Sequence, residues 1–205
     1  MRAGDAVWNT LTGEKALFVE TAEETDGRRI VVDFAVERGG FVPGGEHLHA
    51  TCTEHFEVRA GRIAFDAGGE QRTLGAGEEI TVAPGTWHQW WNAGEDEVQI
   101  RARVEPAIRF QEAILVFWGM CTDGLTNKDG QPSPLLGALV ATRYSREIRY
   151  RRPPAAVQRV MFPALAAVAR RRGLDDKLDR YLDAATHPSA EAGLGRLPAR
   201  VMKRG

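Results

Sequence analysis

The stretch GGEHLHATCTEHFEVRAG, residues 44–61, carries the pattern on which the interpretation of the chain depends. His47 and His49 are two residues apart, so on a strand both imidazoles point to the same face of the sheet. Glu54 follows five residues later, far enough to return on the next strand, and His88 comes on a later strand after a Pro-Gly turn. If the strands close into a barrel, three imidazoles and one carboxylate converge inside it. Such a donor set suits a divalent first-row metal ion.

Short strand-like segments continue on both sides of this stretch, and turn residues separate them. The pattern predicts strands at residues 28–37, 53–60, 62–66, 69–74, 78–83, 87–92 and 96–104. Many short strands at this spacing are typical of antiparallel barrels and sandwiches. We therefore expect residues 1–105 to form a mainly β domain with the histidines and Glu54 in its interior.

The hydrophobic period changes after Pro106, and the rest of the chain is predicted to be helical. Residues 107–120 are apolar around most of a helix, which predicts a helix packed on the barrel. Further helices are predicted at 135–144, at 155–172, where Pro163 should kink or split the helix, and at 174–182, after a stop at Gly173. We expect residues 106–183 to form a helical extension and residues 184–205 to be a mobile basic tail. The polar segment 122–134 is long enough to act as a lid.

Charge divides the chain in the same way. The net charge is −1, but residues 1–105 carry 10 basic and 19 acidic side chains, whereas residues 106–205 carry 17 basic and 9 acidic ones. The opposite signs suggest that the extension docks on its own barrel or on a partner's barrel. No basic groove with interleaved aromatic residues supports nucleic-acid binding, and no apolar run is long enough to span a membrane. Two cysteines and an N-terminus without an apolar core favour a reducing, cytoplasmic location.

The two segments that carry the histidines resemble the two conserved motifs of the cupin superfamily. Segment 44–61 resembles the first motif through His47, His49, Glu54 and Gly61, and segment 77–92, GEEITVAPGTWHQWWN, resembles the second through Gly77, Pro84-Gly85, His88 and Asn92. Phe41 and Ala83 depart from the family pattern, but neither is a ligand position. The resemblance covers residues 25–105. It implies a double-stranded β-helix, the cupin or jelly-roll barrel, with His47, His49, Glu54 and His88 as metal ligands.

Other residues near the two motifs are weighed by their position on the predicted strands. Trp90 shares the side of His88, so it could form an apolar wall of a substrate pocket or only pack in the core, and Glu46 is expected at the barrel mouth. His55 should point to the opposite face from Glu54. Trp87 and Trp91 should also face outward, under a helix or in a dimer interface. Cys52 is a reactive thiol or, more simply, a small buried side chain.

The resemblance also implies a class of function. Three imidazoles and one carboxylate leave coordination positions open for a small organic substrate. We expect a metal-dependent enzyme, with a dioxygenase-type oxidoreductase using Fe(II) favoured; Zn, Mn or Ni would suit an isomerase, cyclase or lyase instead. A non-catalytic cupin that binds or senses a small ligand is the further alternative. Glu54 could serve as general base as well as ligand. A homodimer is expected from the family resemblance.

Overall fold

The computed structural model describes residues 1–189, which form two β-sheets and a set of C-terminal helices. The strands are β1 Ala6–Asn9, β2 Glu14–Glu20, β3 Ile30–Val36, β4 His47–Leu48, β5 Thr53–Ala60, β6 Arg62–Ala67, β7 Glu70–Gly75, β8 Glu79–Val82, β9 His88–Asn92, β10 Val98–Glu105 and β11 Arg149–Tyr150. The helices are α1 Phe110–Thr122, α2 Pro134–Arg143, α3 Ala155–Arg171 and α4 Leu174–Asp179. In the described part of the chain, no helix combines the length and apolar character that crossing a bilayer requires.

The two sheets are antiparallel and face each other. One has the strand order β1-β2-β3-β10-β5-β8, and the other has the order β11-β4-β9-β6-β7. Alternate residues of the strands are buried: in β10, for example, Val98, Ile100, Ala102 and Val104 all lie inside. Because successive side chains of a strand point to opposite faces, this alternation builds one continuous core between the sheets. The predicted fold class is confirmed: a mainly β protein with C-terminal helices, in which the sheets form a double-stranded β-helix.

The strands that the sequence predicts from residue 28 onward are found with small shifts at their ends, whereas β1 and β2 were not predicted. In β2 the buried positions are Glu14, Ala16 and Phe18. A glutamate at an inward position breaks the alternation of apolar and polar residues that identifies a half-buried strand. The register pairs Glu14 with Val36, which places Glu14 on the interior face of the sheet.

Helix α1 connects the barrel to the extension. It begins at Phe110 rather than 107, because Ile108 has a positive φ of 43° and cannot continue a right-handed helix. Leu115 and Trp118 on one side of α1 belong to the core of the barrel, whereas Val116 and Met120 on the other side pack with the remaining helices. The extension therefore docks on the barrel of its own chain, and apolar contacts dominate this docking.

The later helices follow the predicted positions closely. Pro163 lies within α3, and the helix continues past it to Arg171, so the predicted split does not occur. Gly173 has a φ of 70° and separates α3 from α4, as expected of a glycine at a helix end. A 3-10 turn at Arg180–Leu182 completes the predicted last helix. Within the predicted mobile tail 184–205, residues 184–186 form a second such turn and Pro188 accepts a hydrogen bond from Trp8; residues 190–205 lie outside the described part.

Candidate metal centre

The four predicted ligand residues come from three neighbouring strands. His47 lies on β4 directly opposite His88 on β9, and His49 follows β4 by one residue. Glu54 lies on β5 in the facing sheet, between Val82 and Val104 of the adjacent strands. All four side chains are buried, with residue exposures between 1% and 5%. The alternation of the strands thus brings three imidazoles and one carboxylate together in the barrel interior.

The three imidazoles are close enough together to hold one ion. The candidate ligand atoms of His47, His49 and His88 all lie within 4.8 Å of one another. Glu54 Oε2 is 2.8 Å from Nε2 of His88 and 3.3 Å from Nε2 of His49. The ring centroids of His47 and His88 are 4.4 Å apart. Three histidines at this spacing could bind a metal ion, and the carboxylate of Glu54 lies beside two of them.

The backbone determines which nitrogen each histidine presents. Nδ1 of His47 is 2.9 Å from the carbonyl oxygen of Gly45, Nδ1 of His88 is 3.0 Å from that of Thr86, and Nδ1 of His49 donates to the carbonyl of Glu147. Because a carbonyl oxygen only accepts hydrogen bonds, each Nδ1 carries the hydrogen. In a neutral imidazole the lone pair is then on Nε2, the nitrogen used for ligation. Such outer contacts orient metal-binding histidines in proteins generally.

The centre also has polar atoms without ordinary partners. Nε2 of His49, Nε2 of His88 and Oε2 of Glu54 are buried and lack a hydrogen bond of good geometry. Buried polar atoms in proteins are normally satisfied, so three such atoms at one point indicate a missing group. A divalent cation fits, since imidazole nitrogens and a carboxylate oxygen are its usual donors. Its identity is not determined by these four residues.

The electrostatics of the centre follow from this crowding. Burial lowers the pKa of His47 well below its usual value, and the neighbouring His88 and His49 add to that effect. Burial alone would raise the pKa of Glu54, but the neighbouring imidazoles of His49 and His88 outweigh burial and hold the pKa well below its usual range. Burial also opposes the charged form of His88, yet the adjacent carboxylate of Glu54 raises its pKa. The arrangement therefore keeps Glu54 ionised, the form that binds cations.

A cavity of about 90 Å³ adjoins the centre. By the same measure a single water needs roughly 10–15 Å³, so the cavity holds a molecule of several heavy atoms. His47, His49 and Glu54 line one part of it. Most of the wall is apolar and comes both from the barrel and from α1, including Val32, Phe34, Trp90, Ile114, Phe117 and Trp118. Trp90, 5% exposed, lies where its strand position predicted.

An outer groove of about 740 Å³ lies beside this cavity. Phe117, Val140 and Tyr150 line both spaces, so they form the wall between them. The Tyr150 hydroxyl is buried without a hydrogen-bond partner. Glu46 lines the groove rather than the inner cavity.

The charged edge of this groove joins the barrel to the extension. The carboxylate of Glu46 pairs with Arg151 at 2.5 Å. The guanidinium of Arg151 also lies over the ring of Trp87, 5.6 Å from its centre. One arginine of the extension therefore contacts two residues of the barrel domain.

The remaining candidates are outside the centre. His55 faces away from Glu54, as predicted, and contacts Thr81 and Glu79 on the outer face of the sheet. Trp91 pairs with Phe41 in an isolated bridge. Cys52 is 3% exposed, and burial raises the pKa of its thiol to about 12, which favours the buried filler over the reactive thiol.

Sequence analysis missed the contribution of the extension to the centre. The Glu147 carbonyl that holds His49 and the ring of Phe110, whose centroid is 4.9 Å from that of His49, both come from beyond residue 105. A backbone carbonyl leaves no signal in a sequence, because every residue has one. Glu14 and Tyr150 in the cavity wall were also missed.

Residues 33–102 match the sequence model of the cupin domain. No curated protein matches the chain. Similar solved structures include KdgF from Halomonas sp., with 20% identity over 46% of this chain and 79% of that chain and a TM-score of 0.41. A predicted oxalate decarboxylase from Thermotoga maritima has 19% identity over 50% and 90% of the two chains, with a TM-score of 0.44.

A third similar structure is Streptomyces Pac13, a nucleoside dehydratase, in a form solved with uridine. It has 24% identity over 54% of this chain and 83% of that chain, with a TM-score of 0.43. Each of these alignments covers about half of the present chain. The domain match identifies residues 33–102 as a cupin domain, which lies in the two-sheet barrel that gathers both histidine segments and is followed by a helical extension.

Proposed function

We propose that this cupin is a metal-dependent enzyme that acts on a small, largely apolar organic molecule inside the barrel. The observation that carries the proposal is the convergence of three histidines and Glu54, three of whose buried polar atoms lack a hydrogen bond, on a largely apolar cavity. His47, His49, Glu54 and His88 would hold the ion. A divalent first-row ion supplies Lewis acidity there and, if it is redox-active, the electron transfer needed for chemistry with dioxygen.

The cavity supports a substrate that is mostly hydrocarbon. Phe34, Trp90, Ile114 and Trp118 exclude water from the space beside the ligand set. Such walls bind apolar groups and leave orientation to a few polar contacts. The small size of the cavity argues against polymers and large cofactors as substrates.

Among possible reactions, dioxygenase-type oxidation is the one we propose first. The ionisable residues of the cavity wall are Glu14, His47, His49, Glu54 and Tyr150. Burial raises the pKa of Glu14 to about 8 and also raises that of Tyr150, so the neutral forms of both side chains predominate near pH 7. Isomerases, lyases and cyclases commonly use a positioned general base. Among these residues Glu14 or Glu54 could serve as that base, Glu54 only if it left the ligand set, and these reactions are therefore the alternative proposal.

The first experiment measures metal content. The protein is purified without oxygen from metal-replete cells, and bound iron, zinc, manganese and nickel are determined by mass spectrometry. We expect about one ion per chain, lost in His47→Ala and His88→Ala. His55→Ala is the matched control, because His55 lies on the outer face of the barrel. A metal-free parent protein would contradict the proposal.

The second experiment separates the enzyme from a binding module. Candidate substrates are supplied to the iron-loaded protein in an oxygen electrode, and products are followed by mass spectrometry. Consumption of dioxygen with an oxygenated product supports the dioxygenase chemistry, and product without consumption supports an isomerase, cyclase or lyase. Tight binding with neither would indicate the sensing alternative. The homodimer also remains a proposal, tested by light scattering.

A further inference from the structure

A second group of buried polar residues lies in the turn between β1 and β2. Asn9, Thr12 and Glu14 are between 0% and 2% exposed. Oε2 of Glu14 accepts hydrogen bonds from Thr12 Oγ1 at 2.5 Å and from Asn9 Nδ2 at 3.3 Å. Among the residues that the structure describes, none hydrogen-bonds the other oxygen, Oε1. Both hydrogen bonds to the Glu14 carboxyl therefore go to Oε2, and Oε1 is left available for a ligand.

Within residues 1–189, burial and the hydrogen bonds from Thr12 and Asn9 are the influences on this carboxyl, and no cation contributes. Burial raises its pKa to about 8, although the hydrogen bonds from Thr12 and Asn9 favour the ionised form. Near pH 7 Glu14 is then mostly a neutral acid, with a hydroxyl that can donate. Since Oε2 already accepts two hydrogen bonds, the acidic hydrogen belongs on Oε1.

Glu14 lines the same cavity as His47, His49 and Glu54, but at a different place. The strand register gives their separation. Glu14 pairs with Val36, which pairs with Val98 at the start of β10, whereas Glu54 pairs with Val104 near the end of β10. Glu14 and Glu54 therefore lie toward opposite ends of the barrel. The cavity wall between them is mostly apolar.

We propose that Glu14 is a specificity-determining residue, whose Oε1–H donates a hydrogen bond to an acceptor oxygen at the end of the ligand remote from the metal centre. This inference rests on the proposed function, because the metal anchors the near end. The ligand class is an elongated apolar molecule with a metal-binding group, such as a carboxylate, at one end and a ketone, aldehyde or ether oxygen at the other. A polar contact of this kind fixes which way round a mostly apolar molecule binds.

The competing explanation is that Glu14 only stabilises the hairpin through Asn9 and Thr12. Three variants separate the two roles. Glu14→Gln keeps an acceptor for the hairpin and an N–H donor for the ligand, whereas Glu14→Leu removes both. Thr12→Val removes a hairpin hydrogen bond but leaves the carboxyl in place.

The probes are unbranched carboxylates of five to ten carbons. Each plain acid is compared with an oxo acid of the same chain length, which carries a ketone next to its terminal methyl group. Binding to the zinc-loaded and the metal-free protein is measured by calorimetry, with thermal unfolding as a check on folding. At one chain length the oxo acid should bind about fivefold to tenfold more tightly than the plain acid. Glu14→Gln and Thr12→Val should keep this preference, and Glu14→Leu should lose it.

The outcomes distinguish this inference from the proposed function. Plain acids that bind with metal and fail to bind without it support the metal-anchored site. Suppose that plain acids need the metal for binding, but no chain length binds the oxo acid more tightly, or Glu14→Leu still binds it more tightly. The proposed role of Glu14 is then contradicted, and the metal-anchored site is not. If no acid binds the metal-loaded protein, both inferences are contradicted.

Discussion

The imidazole of His49 donates from Nδ1 to the backbone carbonyl of Glu147, which lies 98 residues further along the chain. This contact connects the barrel to the turn that follows α2. The turn is itself fixed, because the amides of Glu147 and Ile148 both donate to the carbonyl of Tyr144. Strand β11, immediately after it, pairs with β4, the strand of His47. The extension is therefore part of the structure that orients the candidate metal centre.

Loosening this turn should weaken metal binding. Tyr144 is fully buried beneath it, and Tyr144→Leu leaves a cavity that costs about 2 kcal/mol of unfolding free energy. We expect metal affinity to fall about tenfold, since outer contacts of ligating histidines typically contribute 10–100-fold. Affinity is measured by competition with a chromophoric chelator, and stability by denaturant unfolding.

Leu178→Ala is the matched control for this variant. Leu178 is buried in the same helical cluster as Tyr144 but lies on α4. It should cost about 2–5 kcal/mol of stability and leave metal affinity unchanged. Equal losses of affinity in both variants would mean that general destabilisation, and not the His49 contact, is responsible.

Glu14 predicts an unusual dependence of stability on pH. Its pKa is about 8 in the folded protein against an ordinary value of 4.5. As pH rises from about 4.5 to 8, the unfolded chain releases this proton while the folded protein keeps it. Stability from this group is therefore present at low pH and declines by about 1.4 kcal/mol for each pH unit in that window. Glu14→Gln cannot titrate, so its stability relative to the parent should increase from pH 5 to pH 8.

The measurement is denaturant unfolding of both proteins at a series of pH values. Glu70→Gln, at an exposed strand position, is the control and should follow the parent throughout. A constant difference between Glu14→Gln and the parent across the whole range would show that Glu14 is already ionised in the folded state.

The two cysteines should be inert in the folded protein. Cys52 and Cys121 are 3% and 4% exposed, and burial raises the pKa of Cys121 to about 11. Because the thiolate is the reactive form, a disulfide reagent at pH 8 should modify neither cysteine while the protein is folded. Both cysteines should react after the protein is unfolded. Rapid modification of the native protein would show that the core around them opens easily.

The sequence predicted the barrel because its strands obey a local rule. Val98, Ile100, Ala102 and Val104 alternate with polar residues, and glycine or proline turns separate neighbouring strands. The histidines and Glu54 could be assigned to one interior for the same reason, since strand periodicity fixes the side of each. Only these regular features can be read from a single chain.

The rest of the site depends on contacts that have no local pattern. Glu14 occupies an inward position where an apolar residue is expected. For this reason the sequence pattern predicted neither strand β2 nor the position of Glu14 in the cavity wall. Phe110 and Tyr150 reach the site because of how α1 and β11 dock, and docking is set by tertiary packing. The apolar character of α1 predicted that the helix packs on the barrel and partly covers its mouth or outer sheet, but not which of its side chains line the cavity.

The loop between α1 and α2 provides the last test, of whether it shapes the cavity mouth. Gly130 has a φ of 74°, and a Cβ there would lie 2.8 Å from Cβ of Pro43 and 3.0 Å from the amide nitrogen of Gly44. Pro43 lines the cavity and Gly44 lines the groove. Gly130→Ala must therefore displace the segment that borders both spaces. We expect the affinity of the zinc-loaded protein for unbranched carboxylates to change severalfold, measured by calorimetry.

Gly124→Ala is the control, because it isolates backbone strain from steric displacement. Gly124 lies in the same loop with a φ of 68°, but a Cβ there would meet nothing within 4 Å. Both variants should lose about 1–2 kcal/mol of stability, since a side chain at positive φ is strained. Only Gly130→Ala should alter carboxylate binding. If the two variants bind carboxylates alike, the loop is a connection between helices and does not control access to the barrel.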